Sequence, residues 1–136
     1  MSNLAAIQDF FAAYARKDVT AIRGVMAEDI AWTIPGHHPL SGTKRGIAEV
    51  LAFFDQLARA DFKAEPLVVV EQGDYVIDHH RGWSEVGPGI DQTWCLVFRF
   101  KEGRIAEVVN FAADQHAADR FFWSVYALKP IPERLA

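Results

Sequence analysis

At Phe62 the hydrophobic period of this chain drops from that of a helix to two, and it stays at two as far as Ala112. Before the switch, Leu4, Ile7, Phe11 and Tyr14 fall at helical spacing, which predicts a helix over 4–16 with Asn3 as its N-cap. Asp18 can cap a second helix whose Ile22, Val25 and Met26 face the core. Ile30 to Ile34 reads as a strand, stopped by Pro35-Gly36, and Pro39 to Gly42 as loop. Gly46 opens a third helix marked by Ile47, Val50, Leu51, Phe54 and Leu57. After the switch come four strands: Phe62 to Glu71, with Pro66 marking an edge or bulge, then Tyr75 to Glu85, Ile90 to Lys101 and Arg104 to Ala112. Glu102-Gly103 makes the last turn a tight hairpin. Asp114 can cap a terminal helix carrying Phe121, Phe122, Val125 and Tyr126, and 130–136 reads as an extended tail.

Helices followed by successive antiparallel strands give the α+β class. The expected architecture is a curved antiparallel or mixed sheet wrapped around the N-terminal helices, a cone-shaped α+β barrel closed by a C-terminal helix. One domain spans 1–136, with its core in 4–126. The last two strands are apolar on both faces: Trp94, Leu96, Phe98, Phe100 and Val108 on one, Cys95, Val97, Val109 and Phe111 on the other. Helices cover only the concave face. A monomer rarely exposes so much apolar surface, so the expected partner is a second copy, joined through the convex face of the sheet.

Bulk composition narrows the function classes. At 136 residues, 51% hydrophobic and 24% charged, the chain can bury a core without staples. Its net charge of −4, with scattered Lys and Arg, speaks against nucleic acid. With Cys95 as the single cysteine no internal disulfide forms, which fits a reducing compartment. No apolar run reaches membrane-spanning length, and Asp9 interrupts the N-terminal apolar residues where a secretory leader would have none. The expected setting is the cytoplasm, without membrane contact.

Several segments carry a resemblance. They are Asp18 after the first helix, Ala27-Glu28-Asp29-Ile30-Ala31-Trp32 leading into Pro35-Gly36, and Leu40-Ser41-Gly42-Thr43 before Gly46. To these add Phe98-Arg99-Phe100-Lys101-Glu102-Gly103-Arg104-Ile105 and Glu107. Over roughly 4–123 the chain resembles the SnoaL-like branch of the nuclear-transport-factor-2-like superfamily. The resemblance implies the cone fold and an internal pocket, and it allows a test of known chemistries. Ketosteroid isomerases use a tyrosine, an aspartate base and a protonated aspartic acid at positions that here hold Phe10, Ile34 and Leu96. An isoleucine cannot abstract a proton, so that mechanism is absent. Related cyclases and epoxide hydrolases place a carboxylate where this chain has Asn110, an amide that accepts no proton near neutral pH. The arginine–aspartate pair of the hydrolases would fall on Arg81 and Trp83, so its carboxylate is missing as well.

Strand parity assigns the remaining polar groups. Ile77, His79, Arg81 and Trp83 share one face of their strand, and Asp78, His80 and Ser84 the other. Ile77 and Trp83 favour the first set as the inward one. The expected site is an aromatic hollow with His79 as proton carrier and Arg81 and Asn110 as polar anchors. Its walls would be Phe10, Tyr14, Trp32, Ile34, Phe54, Trp83, Trp94, Leu96 and Val108, with His37 and His38 at the mouth. No metal is expected, since neighbouring histidines on a strand point to opposite faces, and no cofactor. Two functions fit: cofactor-free acid/base chemistry of the isomerase, cyclase or lyase kind on a small hydrophobic molecule, or ligand binding without chemistry on the same fold.

Overall fold

In a computed structural model, residues 2–126 are described. The helices are α1 (Asn3–Arg16), α2 (Val19–Gly24), α3 (Ile47–Arg59) and α4 (Gln115–Val125). The strands are β1 (Met26–Ile34), β2 (Gly42–Arg45), β3 (Lys63–Gln72), β4 (Tyr75–Ser84), β5 (Ile90–Lys101) and β6 (Arg104–Ala112). They form one open six-stranded sheet in the order β2-β1-β6-β5-β4-β3. Four neighbour pairs are antiparallel, and β1 lies parallel to β6. The α+β class and the mixed sheet with helices on one side agree with the reading of the sequence. The expected tail at 130–136 lies outside the described residues.

Local chemistry explains the boundaries. Ser2, not Asn3, caps α1: its hydroxyl accepts from the Ala5 amide at 3.1 Å, and Asn3 is already helical. Asp18 and Asp114 cap α2 and α4 by accepting from the amides of Ala21 and Ala117. Strand β1 begins four residues earlier than its apolar run suggests. Strand β2 is not predicted, and only its first residue, Gly42, falls in the expected loop: four polar or small residues at a sheet edge carry no hydrophobic alternation. It is held by pairing of Thr43 with Thr33, whose hydroxyls lie 2.9 Å apart. Pro66 sits on edge strand β3, where the register slips by one residue before Val68, as a proline that cannot donate requires.

The helices bury their apolar stripes on the concave side. Ile7 and Phe10 of α1 and Val50, Phe53 and Phe54 of α3 meet Trp32, Leu96, Phe98 and Val108 of the sheet. Helix α4 closes one end: Phe121 and Phe122 pack on Phe62, which also meets Trp94 edge-on. The convex face is left to solvent at Val68, Val70, Ile77 and Phe111, all exposed.

Candidate functional site

Register fixes what faces the hollow. Strand β4 buries Val76, Asp78, Gly82 and Ser84 and half-buries His80 on its concave side. The antiparallel ladder sets His80 opposite Trp94, and Asp78 opposite Leu96, which is itself opposite Asn110. Directly opposed residues share a face, so Asp78 and His80 look inward together with Trp94, Leu96 and Asn110. Alternation then sends His79 and Arg81 outward.

The inward expectation for His79, Arg81 and Trp83 is therefore corrected. Arg81 lies on the convex face, where its guanidinium donates through Nε and Nη2 to both carboxylate oxygens of Asp91, at 2.8 and 2.6 Å, and stacks on Trp83. That fork holds Asp91 below the usual carboxylate range and Arg81 above its own. His79 stands between Val68 and Cys95 on the same outer face. The large side chains Ile77 and Trp83 mark an outer apolar surface, not the hollow.

The hollow itself measures about 130 Å³. Phe10, Phe11 and Tyr14 of α1 and Phe53, Phe54 and Leu57 of α3 line its helical side. Trp32, His80, Gly82, Trp94, Leu96 and Asn110 line its sheet side, with Phe62, Lys63, Ala64 and Phe122 at one end. Of the expected wall, Phe10, Tyr14, Trp32, Phe54, Trp94 and Leu96 are there, as is Asn110 of the expected polar groups. Ile34 and Val108 are buried in the core beside it and do not line it. His37 and His38 are not lining residues either. His37 is exposed, with its backbone bonded to Asp119 and Trp123. His38 is buried, stacked on Phe122 at 4.5 Å, and its Nδ1 accepts the Leu40 amide.

Four polar side chains stand on the concave face of the sheet here: Asp78, His80, Trp32 and Asn110. Asp78 Oδ2 and His80 Nδ1 are 2.6 Å apart, with Asp78 only 1% exposed. An ionised carboxylate can only accept, so this contact places a proton on His80 Nδ1. Trp32 Nε1 and Asn110 Oδ1 are buried without a hydrogen-bond partner, as is Asp78 Oδ1. Each such group costs about 1–3 kcal/mol when nothing answers it. Gly82 shapes the wall: a Cβ there would stand 2.7 Å from Trp94 Nε1, and the indole uses the space to donate to the Gly82 carbonyl at 3.1 Å. Burial raises the Tyr14 phenol, which keeps its proton at neutral pH. Among the described residues no three His, Cys, Asp or Glu side chains converge as metal ligands would.

His38 gives the fold a pH dependence independent of the cavity. Burial, aided by the nearby Lys44 and His37 charges and opposed by Asp119 and a Pro35 backbone contact, lowers it from 6.5 to about 4. Between those values the unfolded chain binds more protons. Its contribution is therefore complete above pH 6.5 and is lost as the pH falls toward 4, by roughly 3 kcal/mol in total. Urea unfolding at pH 7 and pH 4.5 should show that loss, and His38→Phe should flatten it.

Comparison with known proteins supports the fold. A family model described as "SnoaL-like domain" matches residues 7–108. The "Uncharacterized protein Rv0034" of Mycobacterium tuberculosis is 30% identical over 128 residues, covering 90% of this chain and 97% of that protein. The structure of Bal32a, from a soil-derived mobile gene cassette, superposes with a TM-score of 0.83 at 29% identity, over 88% of this chain and 95% of that one. An NTF2-like protein from Burkholderia xenovorans gives 0.77 at 28% identity, over 91% and 95%. No helix among the described residues is long and apolar enough to cross a membrane.

Proposed function

The chain belongs to the SnoaL-like domain family, and on that premise we propose that it binds a small, mostly hydrophobic molecule in the aromatic hollow and relocates a proton on it. The observation that carries this reading is the Asp78–His80 pair, 2.6 Å apart on the concave face, with His80 in the lining of the cavity. His80 Nε2 takes a proton from a carbon or hydroxyl of the guest, and the electron pair left behind moves into the guest. The resulting imidazolium keeps its Nδ1–H on the Asp78 carboxylate, and Nε2 returns the proton to a different atom. Such chemistry is of the isomerase, cyclase or lyase kind. Asn110 and Trp32 position the guest. The test is α-proton exchange of a panel of cyclic and open-chain ketones in D2O, followed by ¹H NMR. Exchange above buffer rate supports the reading. Binding without exchange would leave the second function, a non-catalytic carrier. The amide at 110, which accepts no proton, favours that alternative.

We also propose that two copies meet through the convex sheet face. Val70, Ile77, Val97 and Val109 form one cross-strand row there, and Val68, His79, Cys95 and Phe111 the next. Helix α4 packs at the end of the hollow and leaves these rows uncovered. Sedimentation velocity should give a dimer for the parent and a monomer for the Ile77→Asp, Phe111→Asp double variant, with no change in helix content.

A further inference from the structure

We infer that the hollow takes a guest with a single six-membered ring bearing an enolic or phenolic hydroxyl, or its keto tautomer, and that Trp32 and Asn110 together read that oxygen. The inference rests on the proposed site and names its ligand class.

Size sets the first limit. The hollow measures about 130 Å³, and an apolar protein cavity of roughly 150 Å³ holds one benzene ring. Its walls are not free to retreat. Phe10 packs at 6.1 Å on Trp32, 6.0 Å on Phe54 and 6.1 Å on Phe98, and Trp32 meets Phe54 edge-on at 5.1 Å. Close-packed rings of this kind move only if their neighbours move, so a second fused ring would have to lie outside the hollow, toward the neighbouring cleft that Tyr14, Phe54 and Phe62 also line.

Hydrogen bonding sets the second. Trp32 is 4% exposed, lines the hollow, and its Nε1–H has no partner. An indole only donates, so the guest must offer an acceptor there. Asn110 lies two residues beyond Val108, the Cα partner of Trp32 on the neighbouring strand, and its Oδ1 is also buried without a partner. That oxygen needs a donor. One hydroxyl answers both at once: its oxygen accepts from Trp32 Nε1–H and its proton goes to Asn110 Oδ1. A ketone answers only the first. The wall therefore favours the enol over the keto form, which is the direction in which His80 would have to push a ring ketone. A site with two buried groups to satisfy also discriminates against a hydrocarbon of the same shape.

The experiment titrates the full chain with phenol, toluene and 2-naphthol by calorimetry and follows the indole ¹⁵N–¹H resonance of Trp32, assigned by Trp32→Phe. Phenol should bind and move that resonance. Toluene should bind roughly thirtyfold more weakly, the worth of two net hydrogen bonds at about 1 kcal/mol each. 2-Naphthol should bind at least tenfold more weakly than phenol. If Trp32→Phe does not fold, Asn110→Leu serves instead, and either variant should bring phenol and toluene together. Equal affinities for phenol and toluene with an unmoved Trp32 signal, tight binding of 2-naphthol, or no binding of any of the three would each overturn the inference. Phenol binding without ketone proton exchange would defeat the acid–base reading alone, whereas exchange on a fused bicyclic ketone would defeat the single-ring limit alone.

Discussion

Asp78→Asn is expected to fold as the parent does and to lose roughly 10²- to 10⁴-fold of ketone proton exchange, the usual worth of a positioned general base. Asparagine fills the same space, so packing against Val76 and the rest of the concave row survives. What changes is the proton on His80. In the proposed mechanism the Asp78 carboxylate accepts from Nδ1–H, 2.6 Å away, and Nε2 serves as the base. A carboxamide can turn its NH2 toward Nδ1, which moves the imidazole proton to Nε2 and blunts the base. Binding of phenol should barely change, because the Trp32 and Asn110 wall is untouched. Exchange kinetics and calorimetry on the same sample separate the two effects. Unaltered exchange in a well-folded Asp78→Asn would show that the dyad moves no proton.

His80→Ala carries the larger stability penalty, about 3–5 kcal/mol, because it strands its partner. Asp78 is 1% exposed, its Oδ1 already lacks a hydrogen bond, and removal of His80 takes away the one that Oδ2 has. Asp78→Ala should cost less, since the imidazole it leaves behind is partly exposed, whereas the carboxyl group stranded by His80→Ala is fully buried. The double variant should be more stable than His80→Ala alone, the sign of a coupled pair. Urea midpoints with unchanged slopes would measure this order. A loss below 1 kcal/mol for His80→Ala would mean that water, not histidine, satisfies the carboxylate. A buried acid so poorly satisfied lowers stability, which is a reason to connect it with function rather than with folding.

The sequence read in isolation made the fold visible because its signals were local and strong. The bounds of β5 and β6 are those predicted, and the Asp18 and Asp114 caps stand where the pattern put them. Strand β2 was hidden because an edge strand of Gly42, Thr43, Lys44 and Arg45 has no apolar face to alternate. The site was half legible. Trp32, Trp94, Leu96 and Asn110 are correctly read as inward, because the aromatic Trp94, Phe98 and Phe100 share one parity of β5. Strand β4 misled because both faces of this sheet are apolar: Ile77 and Trp83 were taken as markers of the hollow, yet they mark the convex surface. Hydrophobicity cannot choose between two greasy faces. Register can. The β4–β5 hairpin pairs Ser84 with Ile90 and His80 with Trp94, so even-numbered residues oppose even-numbered ones. Once Trp94 and Leu96 are inward, His80 and Asp78 must follow. The i, i+2 spacing of Asp78 and His80 on one strand face was the overlooked signal. Phe62 and Phe122 reach the hollow only through the docking of α4, a long-range arrangement that no local pattern encodes.

Long-range ¹H–¹⁵N spectra of the histidine side chains, recorded before and after addition of phenol, test the placement of the proton carrier most directly. The proposed function requires that His80 show a protonated Nδ1 and a bare Nε2, and that its signals move with phenol while those of His79 stay. Movement at His79 with His80 unchanged would contradict the inward assignment of the Asp78–His80 pair, and with it the function proposed.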